Sequence, residues 1–218
     1  PFQFLIDLKY NNNRPWFNEN KDRYLAAKKE FDTYIEMLIP LLKKQDHSID
    51  VNCAKECVYR IYRDVRFSKN KEPYKNSFGA YISKGGRKSP YAGYYIHFEP
   101  DNSFVGGGIY QPSPTVLKSI RNQIFEHTDA YKKILTKKEL KKEFLVLEGA
   151  KLKMAPKGFP KDFKDIDLLK NKHFTVRKKI DNKLWLKKNS VELILKSFET
   201  QQDFNHFLNR AVEAEIVS

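Results

Sequence analysis

Three of the chain's nine arginines, Arg60, Arg63 and Arg66, fall within seven residues, in a chain that also carries 32 lysines. Lysine would serve for solubility alone. Arginine presents a rigid planar fork that grips a carboxylate or phosphate through two parallel hydrogen bonds. The window reads Arg60-Ile61-Tyr62-Arg63-Asp64-Val65-Arg66-Phe67 and runs on through Asn70, Lys71, Tyr74 and Lys75. Guanidinium forks, an ammonium and a phenol this close in sequence suit a small anion, with Asp64 placed to orient an arginine. Downstream, His97 has Tyr95 and Glu99 two residues to either side. These are the residue types of a general acid or base and its partners, and equally of a hydrogen-bonded structural histidine. His97 and Asp64 are therefore the candidate catalytic groups. Arg60, Arg63, Arg66, Lys71, Tyr74 and Tyr95 are the candidate ligand-binding groups.

To do this work the residues must be brought together, and strand parity says how. Cys57–Val65, Ser77–Ser83, Tyr91–Glu99 and Ser103–Tyr110 are short, aromatic and β-branched segments separated by turn residues, which predicts a meander of antiparallel strands. Gly85–Ser89 closes one hairpin and Pro100-Asp101-Asn102 the next. Alternate residues of a strand share a face. Phe78, Ala80 and Ile82 then fall on one side with Tyr94, Ile96 and Phe98, and Tyr81 and Ser83 on the other with Tyr95, His97 and Glu99. If Arg60 and Tyr62 join the second set, the sheet has an oily side for a helix and a side of Arg, Tyr, His and Glu to floor a polar cleft. Against this, Arg60 and Arg66 in one straight strand would stand about 20 Å apart. They converge only if the chain turns near Asp64. A structural reading stays open: Arg63 in a buried bridge with Asp7 or Glu99, and Asp64 pinning a turn.

The flanking segments read as helices. Phe2–Tyr10 is a short one, and Pro15–Lys44 is the longest, with Phe17, Tyr24, Phe31, Ile35, Leu38 and Leu42 at helical spacing. Ser113-Pro114 opens another, Thr128 restarts the next, and His173–Ile180 reads as a further strand. The chain is expected to end in two helices, the second opening at Thr200-x-x-Asp203 as a variant capping box. No internal repeat or low-complexity linker divides it. The expectation is one α+β domain over residues 1–218, an antiparallel meander sheet with helices packed mainly on one face.

Charge and composition narrow the classes of function. Residues 128–196 hold 20 basic and 9 acidic side chains, +11 of the net +14. That is a possible field for nucleic acid or an anionic surface. Only Arg177 among those 20 is an arginine, however, and scattered lysines on solvated helix faces need no partner. Cys53 and Cys57 lack the spacing of a redox or zinc pair, so two free thiols, no metal and a reducing, cytoplasmic location are expected. No apolar run approaches the ~18 residues of a membrane span, and Pro1–Leu5 lacks the features of a secretory signal. There is no Gly-x-Ser-x-Gly, His-Glu-x-x-His or dinucleotide fingerprint, and no cofactor is implied. Gly106-Gly107-Gly108 is not a phosphate loop, since no Gly-Lys-Ser/Thr follows; close packing or a bulge accounts for it. Gly85–Ser89 reads as a hairpin tip and Trp16 as a core or lid anchor, ahead of a phosphate cradle or a base-stacking platform.

The run Arg60-x-x-Arg63-Asp64-x-Arg66-Phe67, then Asn70-Lys71 and Tyr74, resembles the signature of a sparsely distributed bacterial family of unknown function and similar length. Asn11–Phe17 resembles its early Asn-Asn-x-x-Pro-Trp-Phe segment. Gly93-Tyr94-Tyr95 with His97, Gly108-Ile109-Tyr110 and Pro156-Lys157-Gly158-Phe159 resemble later blocks. Where the family carries a His-Pro pair, this chain has Phe163-Lys164-Asp165. The resemblance implies that Arg60, Arg63, Asp64, Arg66, Lys71 and Tyr74 act as a unit, and it brings no activity with it. Taken together, the sequence points to a binding site, with or without catalysis, for a phosphate-bearing or other small anionic ligand built on Arg60–Tyr74. The alternatives are nucleic-acid or anionic-surface binding through residues 128–196, and a structural or partner-binding scaffold.

Overall fold

The computed structural model describes residues 1–146 and 149–217. Helix α1 (Phe2–Tyr10) buries Phe4, Leu5 and Leu8 and stops where the Asn11 side chain donates to the Asp7 carbonyl. Asn13 caps α2 (Arg14–Glu19), its side-chain oxygen accepting from the Trp16 N–H, with Pro15 in the first turn. The single helix expected over Pro15–Lys44 is interrupted. Asn20 turns its amide back onto the Trp16 carbonyl and ends α2, and α3 (Lys21–Gln45) starts afresh. A short amide side chain competes with the backbone for such bonds, which is why Asn marks helix ends. Along α3, Tyr24, Phe31, Ile35, Leu38 and Leu42 form the buried stripe, and Pro40 sits within the helix.

The strand expected over Cys57–Val65 is also absent as a regular strand. Cys57 closes the short helix α4 (Ala54–Cys57). The chain then runs extended beside β1 (Phe78–Ile82), touching it through one isolated bridge, Val58 to Ala80. Further on it leaves β1 and pairs with the segment just before it, where Arg63 N–H bonds the Pro73 carbonyl and Lys75 N–H the Ile61 carbonyl. A change of partner and a proline that offers no N–H break the ladder.

The rest of the meander forms as expected. Strands β1, β2 (Gly93–Phe98) and β3 (Phe104–Ile109) are consecutive and antiparallel, and β5 (Phe174–Lys179) pairs with β3. The two-residue β4 (Leu145–Val146), which the sequence did not suggest, lies at the edge, giving the order β1-β2-β3-β5-β4. Helix α3 covers the face bearing Phe78, Ile82 and Phe98, with Phe31 5.4 Å from Phe78 and 6.1 Å from Phe98 between ring centres.

Helices α5 (Pro114–Glu126), α6 (Thr128–Leu135) and α7 (Lys138–Glu143) follow β3, and α8 (Ile166–Leu169) and α9 (Asn182–Trp185) flank β5. The two terminal helices expected are one, α10 (Ser190–Val217). Thr200 returns its hydroxyl to the Lys196 carbonyl instead of capping a new start. Helix α10 lies close against the same face of the sheet as α3. Its Gln201 donates to the Gly106 carbonyl, Asn205 to the Gly93 carbonyl, and Asn209 both donates to and accepts from the Ala92 backbone. A β-carbon at Gly107 would stand 2.3 Å from the Gln201 amide nitrogen, so the approach requires glycine there. The sheet is thus an open α+β sheet with its main helical layer on one face, and its second face carries the cleft.

Candidate functional site

Register places four side-chain positions in one row across the second face: Tyr81 on β1, Tyr95 on β2, Gly106 on β3 and Arg177 on β5. The next row runs Gly79, His97, Phe104 and Lys179. Gly106 has no side chain, and any β-carbon would fall 2.1 Å from the Val176 carbonyl oxygen. The row therefore holds a hollow between Tyr95 and Arg177, which stand two strand spacings apart, roughly 10 Å. This hollow is the floor of a cleft of about 1000 Å³ whose walls include Tyr59, Lys75, Tyr95, His97, Phe104 and Arg177. Four of the lining residues, Lys75, Arg87, Lys88 and Arg177, are cationic, and no carboxylate among the described residues lines it.

Arg177 is half-buried, its guanidinium carbon 4.3 Å above the Phe104 ring, and it has no carboxylate partner among the described residues. Lys75 donates to the Arg60 carbonyl at 3.0 Å and lies over the Tyr59 ring. Burial lowers its pKa, and the guanidinium groups of Arg60 and Arg63 lower it further. Between these cations sits His97, stacked on Phe104 with ring centres 4.7 Å apart. Its Nε2 lies 2.9 Å from Glu99 Oε2 and its Nδ1 3.3 Å from the Tyr95 hydroxyl. Burial lowers the His97 pKa, Glu99 opposes the shift, and Arg177 and Lys75 add to it. The Tyr95 phenol is pushed up to about 12, chiefly by burial.

The sequence-predicted residues divide into four groups. Tyr95 and His97 meet in the cleft. Arg60 and Arg63 lie at its β1 edge, close enough to act on Lys75. Asp64, Arg66 and Lys71 occupy an outward loop and bond to each other and its backbone. The Arg66 fork grips Asp64 at 2.9 and 2.7 Å, holding that carboxyl down at about 2, and Lys71 donates to the Val65 carbonyl. Arg63 pairs with neither Asp7 nor Glu99; it stands 3.9 Å from Glu72, while Asp7 takes Arg23 and Glu99 takes His97. Tyr74 is buried, stacked 3.8 Å from Phe17, with its backbone N–H and carbonyl both bonded by the Asn12 side chain. The Asn11–Phe17 and Arg60–Tyr74 blocks are thus physically joined at Tyr74. Tyr62 packs on Phe17 and Tyr74, so the parity is opposite to the one expected. Tyr59, not Arg60 and Tyr62, shares the polar face, 6.5 Å from Tyr95 between ring centres.

Sequence reasoning did not select Arg177, Lys75, Tyr59 or Phe104. One signal was present: Arg177 is the single arginine of the lysine-rich stretch. Five lysines of that stretch, Lys132, Lys137, Lys151, Lys170 and Lys178, sit against carboxylates. Trp16 stacks on Phe4 at the core's edge, and Gly85 and Gly86 take the positive φ of a hairpin tip. Cys53 and Cys57 are free, and burial pushes the Cys57 thiol up to about 12. Among the described residues no three or more His, Cys, Asp or Glu side chains gather as metal ligands would. None of the described helices is long and apolar enough to cross a membrane. A family model described as a conserved hypothetical protein (DUF2461) matches residues 1–207. No curated protein and no solved structure matches the chain.

Proposed function

The chain belongs to the DUF2461 family of conserved hypothetical proteins, and we propose from its cleft that it binds a small anion of the phosphate class. The anion sits in the hollow over Gly106, gripped by Arg177 from β5 and Lys75 from the β1 edge, beside Tyr95 and His97. One observation carries this reading: a half-buried guanidinium, held on the Phe104 ring, has no carboxylate partner among the described residues. A charge withdrawn from water without a partner is costly, and an arriving anion supplies the missing partner. Arg60 and Arg63 add positive field at the rim. Asp64, Arg66 and Lys71 brace the loop that frames that edge. Five of the 19 lysines of residues 128–196 already face carboxylates, which makes those five less available to a nucleic acid.

Thermal melts with inorganic phosphate or sulfate, against chloride at equal ionic strength, test the proposal. A ligand present at 100 times its Kd stabilises a fold by about 2.7 kcal/mol. The wild-type midpoint should climb with either oxyanion, and Arg177→Met and Lys75→Met should abolish the climb. An equal climb in Arg177→Met, or none in the wild type, overturns the assignment.

A further inference from the structure

The Glu99 carboxylate accepts from Asn102 Nδ2 at 2.8 Å and faces His97 Nε2 at 2.9 Å. A carboxylate only accepts, so Nε2 carries the proton of the neutral imidazole and Nδ1 is left as an acceptor. The Tyr95 hydroxyl, 3.3 Å from Nδ1, therefore spends its one proton on His97. Protonation at Nδ1 reverses that bond. The imidazolium donates to the Tyr95 oxygen, and the Tyr95 hydroxyl, which stands over Gly79 on the β1 side of the cleft, no longer spends its proton on the ring. The phenol keeps its own proton throughout, and the one proton gained comes from solvent.

We propose that the cleft takes up its anion together with one proton on His97, and that His97 thereby selects dianions of the phosphate and sulfate class over monoanions. This rests on the anion-binding reading of the cleft and deepens it. The charged and titratable groups facing His97 are few. Glu99 and Tyr95 lie on its own strand, Lys75 and Tyr59 on the segment beside and before β1, and Arg177 on β5; Phe104 of β3 offers only its ring face, and Asn102 in the turn is neutral. Without an anion, burial and then the two cations disfavour the imidazolium. A dianion offsets both cations and leaves burial alone opposing the Glu99 attraction, so the imidazole gains a proton more readily. A monoanion cancels one, and repulsion from the other persists.

The sign of the pH dependence follows from linkage. Binding raises the His97 pKa, so affinity for a dianion rises as pH falls through the bound-state pKa and levels off below the empty-state value. At its steepest the change is tenfold per pH unit, the limit for one proton. Sulfate is the probe of choice because it does not itself titrate near neutral pH. Isothermal titration of the whole chain with sulfate, in buffers of differing ionisation enthalpy at constant ionic strength, should show net uptake of up to one proton per sulfate. His97→Gln should bind sulfate more weakly, with no uptake and a flat pH profile, and acetate should give no uptake with wild type. The His97 imidazole resonances of the wild type should shift toward the protonated form on adding sulfate, a readout independent of any variant's folding. Sulfate binding with no buffer-dependent heat and unmoved His97 resonances overturns the proton coupling while leaving the anion site. Absence of sulfate binding altogether removes the site and the coupling with it.

Discussion

Arg66 and Arg177 are the same residue type in opposite circumstances. Arg66 is 76% exposed and already satisfied by Asp64, so water and its neighbour solvate it fully. Arg177 is half-buried over an aromatic ring and has no carboxylate partner among the described residues. Density of arginine along the sequence is therefore a poor guide to where a guanidinium is available. Arg66→Ala should leave the denaturant midpoint unchanged. Arg63→Ala should cost at most about 1 kcal/mol, because a long, partly exposed ion pair contributes little. Tyr74→Ala should behave quite differently. It empties a buried ring site against Phe17 and should cost about 3–5 kcal/mol, as aromatic truncations in cores do. Urea melts of the three variants check this. Equal losses for Arg66→Ala and Tyr74→Ala would show the loop to be part of the core.

At the scale of elements, the contact between α10 and the sheet decides the shape of the cleft floor. Three amides one helical turn apart, Gln201, Asn205 and Asn209, reach β3, β2 and the residue before β2. They hold backbone groups whose side chains, or lack of them, face the other way into the cleft. Asn209 satisfies both the N–H and the carbonyl of Ala92. Asn209→Leu strands both groups, and should destabilise the protein by about 1–3 kcal/mol. The measurement is a denaturant titration beside Asn209→Gln, which retains the amide chemistry and should lose less. A Leu variant as stable as wild type would mean that packing alone seats the helix.

At the scale of the whole molecule, the described residues form two apolar clusters. One gathers α1, α3, β1 and β2, with Phe198 of α10; the other gathers α5, α6 and β5, with Phe204, Phe207 and Leu208 of α10. Because α10 and the sheet contribute to both, neither cluster can come apart without exposing the other. Differential scanning calorimetry is therefore expected to show one cooperative transition, with calorimetric and van't Hoff enthalpies in agreement. Two resolved transitions, one for each cluster, would show that α10 does not couple them. The cleft lies over the sheet that both clusters share, where its row includes Tyr95 of β2, Gly106 of β3 and Arg177 of β5.

The α+β class, the three-stranded meander and the polar side of β1 and β2 could be read from the chain because strand alternation and helical spacing are local. A residue's face depends only on its neighbours two or four positions away. The same locality placed Tyr95 beside His97. It failed where one residue decides parity or continuity: Asn20 splitting the long helix, Thr200 not splitting the last, and Tyr59 rather than Tyr62 facing the cleft. What only the tertiary structure decided is the partner of β3. Pairing of β3 with β5 carries Arg177 across from the far end of the chain to the hollow that Gly106 leaves beside Tyr95. Register between distant strands is set by the packing of whole faces, which leaves no signature in either strand alone.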